Sequence, residues 1–410
     1  MASINGVNMN DVKTRNRCSI LELVYRYSGI PRKLIAKKLG LTPAAITLLT
    51  NELIDEGILY EADKVVSGNR GRREISLEIR QENFVTIGIS FTRHHVEIIC
   101  INLKLNILFQ KSYQTSRFNG QPDAILTFAI ERVQEDILNA HILTGQKLLG
   151  IGISVLGIVD SSRGISTNSY GVFNGSPDLV SPIENAFHVP AYLTNNICAC
   201  THGEAFQSNS SGMPGRLLFI KYGPGIGAAM LTSEDFFNIH AYSAVQMAHV
   251  IMDPYGRPCI CGNHGCLETI ISYDSIIQSI SDLITPNLTP ELYDAAHKNP
   301  GGISIADILS SYDKGDSIVV NEMNRVVFYL TLAIRNAITL LNPDVVVLYG
   351  ETFTNRKFRR KILNELNSYT NTKNVLFSEF NLQLEALGPA TIAISHFFLR
   401  GGVQPASEEK

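Results

Sequence analysis

Along the first eighty residues, apolar positions recur at helical spacing and then switch to short alternating runs. From Arg15 to Tyr27, Cys18, Leu21, Val24 and Tyr25 fall on one face, which predicts an amphipathic helix ended by Ser28-Gly29. A short helix is expected from Arg32 to Leu39, closed by Gly40, with Leu34, Ile35 and Leu39 as its apolar set. Thr42-Pro43 puts a hydroxyl cap before proline at the first helical position. The third helix it starts should run to Glu56 and stop at Gly57. Helix, short helix, tight turn and longer helix is the order of a helix-turn-helix. Ile58-Leu59-Tyr60 and Glu74 to Ile79 then read as two strands around a glycine-rich hairpin tip, Lys64 to Arg73.

From Phe84 the pattern becomes that of an α/β protein. Phe84 to Phe91, Val96 to Asn102 and Ile107 to Tyr113 are β-branched runs that predict an antiparallel meander. Ala124 to Ile142 is helical, and Leu148 to Val155 is a further strand. A second unit of the same kind opens with Leu217 to Ile220. It continues through a long helix, Met323 to Leu341, a strand, Val345 to Leu348, and a last helix from about Thr391. Two similar strand-rich starts suggest two lobes, with a ligand cleft expected between them.

At 410 residues, two or three domains are the natural expectation. The expected boundaries are a head over 1–80 and a body over 81–410. The body's lobes are placed at 81–200 with helix 388–400, and at 201–387. Hydrophobic content is 45% and charged content 18%, the balance of a soluble globular protein. The polar start, Met1 to Asp11, is unlike a signal peptide, and no uninterrupted apolar run suggests a membrane span, so a cytoplasmic protein with no membrane partner is expected. The net charge of −3 argues against wholesale nucleic-acid binding. Residues 1–80, however, carry 13 Lys/Arg against 9 Asp/Glu, so a basic head sits on an acidic body.

That distribution gives the head its chemistry. The third helix would enter the major groove of duplex DNA, with Thr42, Pro43, Ala44, Ala45 and Thr47 near its leading end. Small side chains permit close approach, and an alanine or threonine methyl can meet a thymine methyl. Arg70, Arg72 and Arg73 on the hairpin tip suit a wing that enters the narrow minor groove.

Seven cysteines, an odd number, do not suggest a disulfide framework. Three of them, Cys259, Cys261 and Cys266, lie within eight residues, with His249 ten positions before the first. Three thiolates and one imidazole make a closed tetrahedral zinc site, and Gly262 and Gly265 let the backbone fold around one ion. Four protein ligands leave no place for a reactive water, so a structural or positioning role follows. His264 is an alternative fourth ligand. Cys198 and Cys200 have no such partners nearby and read as small buried residues on a helix.

The segment His249 to Glu268 resembles the zinc motif of the ROK family of repressors and sugar kinases, and the likeness extends over nearly the whole chain. It implies a winged helix-turn-helix followed by a two-lobed, actin-like (ribonuclease-H-type) sugar-kinase fold, usually a homodimer. It also implies a sugar pocket at Asn195, Asn196, Gln246, His249 and Glu268, with Glu204 and Asn168 near it. The kinases' D-x-G-G-T loop corresponds here to Gly88 to His94, with Ser90 in place of aspartate and no glycine pair. Asn196 stands where the family's catalytic aspartate would be, and an amide cannot take a proton from a sugar hydroxyl. Gly223-Pro-Gly-Ile-Gly227 resembles the second phosphate loop with Pro224 replacing threonine, and Gly350-Glu351 replaces a glycine pair. Gln246 stands where kinases usually have glutamate.

These departures imply a non-enzymatic sensor. The expectation is a regulator, of repressor type, that binds double-stranded operator DNA as a dimer or dimer of dimers and responds to a sugar or sugar phosphate. An active sugar kinase with a DNA-binding head, or a body that docks a protein partner, are the alternatives.

Overall fold

The computed structural model describes residues 8–62, 75–208, 215–232, 243–298, 302–367, 374–380 and 384–402. Two compact units emerge: Met1–Met213 with Asp235–His240 and Gln383–Lys410, and Pro214–Glu234 with Ala241–Leu382.

The first unit opens with α1 (Met9–Arg26), β1 (Ile30–Pro31), α2 (Arg32–Leu39), α3 (Pro43–Asp55), β2 (Leu59–Ala62) and β3 (Ser76–Ile79). Helix α1 starts six residues earlier than its apolar spacing suggested, because Asn8 and Asp11 form a reciprocal capping box. Its buried face is Arg17, Ile20, Leu21 and Val24, whereas Cys18 and Tyr25 are only partly buried. In α2, Leu34 is 40% exposed, so it leaves the apolar set expected for that helix; Ile35 and Ala36 are the buried pair. Gly40 ends α2 in the left-handed region at φ 65°, which only glycine adopts without strain. The three strands form a small antiparallel sheet in the order β1-β3-β2.

Next come β4 (Phe84–Phe91), β5 (His95–Asn102), β6 (Ile107–Gln114), α4 (Pro122–Val133), β7 (Lys147–Val155), β8 (Ile158–Asp160), β9 (Ile165–Asn168), α5 (Ser181–Phe187), β10 (Ala191–Asn195) and α6 (Asn196–Ser208). The main sheet has the order β10-β7-β4-β5-β6, with β4, β7 and β10 parallel. Strand alternation sorts its two faces. Val85, Ile87, Ile89 and Phe91 join a core with Ile125, Leu126 and Ile183 of α4 and α5. Thr86 and Gly88 instead meet Ala390 of the last helix.

The second unit holds β11 (Arg216–Tyr222), β12 (Ile226–Thr232), β13 (Ser243–Val245), α7 (Leu267–Ile271), α8 (Tyr273–Ile280), α9 (Pro290–Lys298), α10 (Ile305–Lys314), α11 (Ser317–Leu341), β14 (Val345–Tyr349), α12 (Arg356–Asn367) and β15 (Val375–Phe377). Its sheet order is β13-β12-β11-β14-β15. Helix α11 is long and apolar enough to cross a membrane by length and composition, but Val319, Met323, Val326 and Leu330 are buried in this unit's core.

The chain then returns to the first unit as α13 (Leu384–Leu399). This helix begins seven residues before Thr391, running through Pro389. Close packing explains the glycines around it. A side chain on Gly152 would come within 1.7 Å of the Pro389 carbonyl oxygen, and one on Gly388 within 2.3 Å of the Ala199 carbonyl oxygen.

Candidate functional site

The head presents α3 on a short, well-capped start. Thr42 accepts a hydrogen bond from the Ala45 amide at 3.3 Å, and Pro43 occupies the first turn. Thr42, Pro43, Ala44 and Thr47 are exposed and Ala45 half-buried, while Ile46, Leu49, Thr50 and Leu53 face the head's core. The Thr47 hydroxyl donates to the Pro43 carbonyl at 2.8 Å, so that hydroxyl is engaged within its own helix. The same face continues to Leu48, which is 63% exposed, and to Asn51. Helical spacings of four and seven from Ala44 put Leu48 and Asn51 on that face, a signal present in the sequence beyond Thr47. Asn51 accepts from Arg32 at 3.1 Å, and Arg32 also reaches Thr50 at 2.8 Å and Glu61 at 2.6 Å. Strands β2 and β3 pair from Leu59↔Ile79 to Ala62↔Ser76, as a wing requires. Arg70, Arg72 and Arg73 lie outside the described residues.

The cysteine loop folds as its glycines suggested. The Cys259 amide donates to the Asn263 carbonyl at 2.8 Å, and the Gly262 amide to the Cys259 carbonyl at 2.9 Å. Gly262 and Gly265 have φ of 91° and 63°, which permits the tight reversal. The result gathers one ligand atom each from His249, Cys259, Cys261 and Cys266 within 4.8 Å of one another. Cys259 Sγ lies 3.5 Å from His249 Nδ1, and Cys261 Sγ 3.6 Å from Cys266 Sγ. Tetrahedral coordination at the usual zinc bond lengths needs ligand separations of about 3.5–3.8 Å. The donor set therefore fits a metal ion. His264 is exposed and outside this group, so His249 is the fourth member.

Two residues after Cys266, Glu268 reaches back to the glycine loop between β11 and β12. Its Oε2 accepts the Ile226 amide at 3.1 Å, and a side chain on Gly225 would meet its Oε1 at 2.4 Å. Burial pushes the Glu268 carboxyl above its ordinary range, opposed by that amide bond. Tyr273 fills the other end of the loop. Its hydroxyl is 2.7 Å from Thr352 Oγ1 and would lie 2.2 Å from a Cβ on Gly223. A Cβ on Gly350 would meet the Tyr222 carbonyl at 2.1 Å. These glycines therefore accommodate the protein's own atoms at close range. Gln246 is exposed, and its carbonyl accepts the His249 amide at 3.0 Å.

The five residues expected at a sugar are divided between the units. Gln246, His249 and Glu268 belong to the second, and Asn195 and Asn196 to the first. Asn195 ends β10 and caps α6: its Oδ1 accepts the Ile197 amide at 2.8 Å, and its Nδ2 donates to the Gly157 carbonyl. Asn196 is the first residue of α6. Ser90 is buried at the end of β4, level with Ser154 of β7, and Thr92 to His95 make a tight turn closed by the Thr92 amide and His95 carbonyl at 2.9 Å. Cys198 and Cys200 are buried on α6, as expected, and Glu204 is buried there too. Asn168 is exposed, its Oδ1 accepting from the Tyr170 amide at 3.1 Å.

Comparison with known proteins identifies this arrangement. Residues 86–392 match the ROK family model. The chain belongs to the ROK family. Within the head, residues 13–60 match a winged helix-turn-helix DNA-binding model. Among curated ROK relatives, the DNA-binding transcriptional dual regulator NagC of Escherichia coli (strain K12) is 26% identical over 351 residues, 84% of this chain and 82% of its own. The xylose repressor of Caldicellulosiruptor bescii is 24% identical over 380 residues, 91% of this chain and 92% of its own. Among solved structures, a ROK family transcriptional regulator homologous to the E. coli Mlc protein superposes with a TM-score of 0.78 at 22% identity, covering 95% of this chain and 98% of its own. A ROK family glucokinase from Streptomyces griseus gives 0.62 at 17% identity over 76% of this chain and 99% of its own. The fold is thus a winged helix-turn-helix joined to an actin-like ROK sugar-kinase fold, and both regulators and kinases share the body.

Proposed function

We propose that this ROK protein is a transcription regulator that binds duplex operator DNA and senses a sugar or sugar phosphate without phosphorylating it. The observation that carries the reading is the filling of the glycine loops by the chain's own side chains. Glu268 engages the Ile226 amide and Tyr273 packs on Gly223, so the loop that resembles a phosphate cradle is committed internally. Asn196 supplies an amide where phosphoryl transfer needs a base. Curated relatives named as repressors of xylose or N-acetylglucosamine systems support the regulatory sense.

In this reading α3 enters the major groove, with Thr42, Pro43, Ala44, Ala45 and Thr47 at the base edges and Arg70, Arg72 and Arg73 at the adjacent minor groove. Zinc is the ion suited to three thiolates and one imidazole, and it would hold the loop that carries His249 and Glu268. Asn195, Asn196, Gln246, His249 and Glu268 would hydrogen-bond the sugar. A homodimer would read a palindromic operator, with sugar changing the relation of its two heads. The regulator would act in the cytoplasm, where its operator lies.

The test starts with duplexes selected from a random pool by the purified full-length protein. Xylose, N-acetylglucosamine, glucose and their 6-phosphates (5-phosphate for xylose) are then titrated by calorimetry and into the DNA complex. A selected duplex released by one of these compounds is the expected result. Incubation with ATP, magnesium and the same sugars should yield no ADP; sugar-dependent ADP release would overturn the sensor reading in favour of a kinase. Absence of any selected duplex would overturn the DNA-binding reading.

A further inference from the structure

The first unit contains a continuous packed connection from Asn195 to the DNA-binding head. Helix α6 begins at the Asn195 cap, and its residues Ile197 to Phe206 are all buried. It is fastened to α13 along its length. The backbones touch, since a Cβ on Gly203 would come 3.1 Å from Gly388 Cα. The buried His202 ring makes hydrogen bonds of 2.8 Å to both Thr391 and Ser395 of α13. Interhelical contacts this close leave little freedom for one helix to move without the other.

Both helices end against the head. Phe206 of α6 and Phe398 of α13 both pack against Tyr25, with ring centroids 5.2 Å and 5.6 Å away. Just beyond α13, the Gly401 carbonyl accepts the Arg17 Nε–H at 2.7 Å. The Arg17 guanidinium also bonds both carboxylate oxygens of Glu56, and Glu52 at 3.2 Å, so one buried side chain ties α13 to the end of α3. A Cβ on Gly402 would meet Ile58 at 2.6 Å, with Leu21 and Leu53 next nearest. The end of α13 therefore sits in the core of the head.

We infer that α6 and α13 form a stiff lever that couples the state of the Asn195 cap to the DNA-binding head, with Tyr25 and Arg17 as the positioning residues at the receiving end. At 1.5 Å per residue, α6 carries a displacement about 18 Å. Asn195 has its oxygen on the Ile197 amide and its nitrogen on the Gly157 carbonyl, with one further donor and one further acceptor position left, so a sugar hydroxyl that turns the amide toward itself weakens one of those bonds. Losing the first loosens the start of α6. Helix shifts of 1–2 Å at an interface are a common means of switching. The sensing half of this inference rests on the sugar-site assignment of Asn195; the mechanical half does not.

Hydrogen exchange of the full-length protein, free of sugar and DNA, separates the two. Asn195→Ala should speed exchange about fivefold, the effect of losing a helix cap, at the start of α6 and equally across Leu21–Tyr27 of α1. Asn195→Ser, which can still cap and puts no second acceptor against the Gly157 carbonyl, should restore both. Faster exchange confined to α6 would overturn the lever. If Asn195→Ala does not fold, Phe206→Leu probes the other end: amides of Ile197 to Ala199 should then exchange faster, and unchanged rates there would overturn the lever. Xylose, N-acetylglucosamine and glucose are added in a second arm. A sugar that binds by calorimetry should change exchange at both ends together, and one that changes only α6 counts against coupling. If none of them binds, the sensing assignment fails while the exchange data on the variants still decide the lever.

Discussion

Gly265 lies directly over the carbonyl oxygen of Asp253, so closely that a Cβ built on it would come within 1.5 Å of that oxygen. Its φ of 63° adds a conformation that other residues rarely adopt. No flexible group is available to yield, because the obstruction is backbone. Gly265→Ala should therefore open the loop between Cys261 and Cys266 and scatter the four metal ligands. The expected outcome is a zinc content below that of the wild type by elemental analysis, with a lowered melting temperature. Gly262→Ala should do less: its φ of 91° strains a side chain, but no atom lies within 4 Å. Full zinc content in Gly265→Ala would refute the account of this loop.

The two glycines show how much of the site could be read before folding. Three cysteines and a histidine in one short stretch carry their chemistry in their spacing, so the cluster could be named, though only geometry left His264 out of it. The head was equally readable because its caps and periodicity are local. Leu34 faces solvent, and four apolar residues, three of them consecutive, in an eight-residue helix do not fix which side faces the core. The last helix starts seven residues before Thr391 and runs through Pro389, where Gly152 packs against its backbone, a contact between residues far apart in the chain. The Tyr273–Thr352 contact and the Asn195 cap could not be read at all. The first joins residues 79 apart in the chain, and the second depends on β10 ending where α6 begins. Relations of that kind belong to the topology.

Arg17 should be worth more than a surface cation. Its side chain is 5% exposed, while its partners Glu52 and Glu56 remain 28% and 43% exposed. Solvent therefore weakens the charge pairs, and the buried bond to the Gly401 carbonyl is the part that cannot be replaced by water. Arg17→Met is expected to lower stability by about 2 kcal/mol in denaturant unfolding. Arg17→Lys should recover less than half, since a single ammonium cannot bridge Gly401 and two carboxylates at once. Full recovery by lysine would show that charge alone, and not the fork, holds the end of α13.

His202 gives the first unit a defined response to acid. Burial, and secondarily the charge of His396, lower its pKa to about 3, so the folded ring stays neutral. The unfolded chain has an ordinary histidine near 6.5. Between those values the unfolded state binds more protons, so stability falls as pH drops below about 6.5, by about 1.4 kcal/mol per unit from this group. His202→Gln retains hydrogen-bonding capacity toward Thr391 and Ser395 without titrating. The stability difference between wild type and this variant, measured by denaturant at pH 7, 6 and 5, should shrink by that slope below pH 6.5. A difference independent of pH would mean the ring is protonated inside the fold.

On the DNA-binding face, the Thr47 hydroxyl already donates to the Pro43 carbonyl, so its methyl is the group left for a base. A methyl can meet a thymine methyl, whereas a hydroxyl would be read as a hydrogen bond. Thr47→Val keeps the methyl and removes the hydroxyl, so affinity for a selected duplex should stay within about twofold and the preferred sequence should not change. Loss of about 1–3 kcal/mol with that variant would show that the hydroxyl turns outward and reads the base directly. Thr47→Asp places a negative charge on the groove face and should abolish binding. Arg72→Ala tests the wing: its effect should depend on the base sequence at the flank of the site and be largest where an A-tract narrows the minor groove. If it instead weakens all duplexes alike and lowers the slope of log affinity against log salt by about 1, Arg72 holds a phosphate and does not read the minor groove.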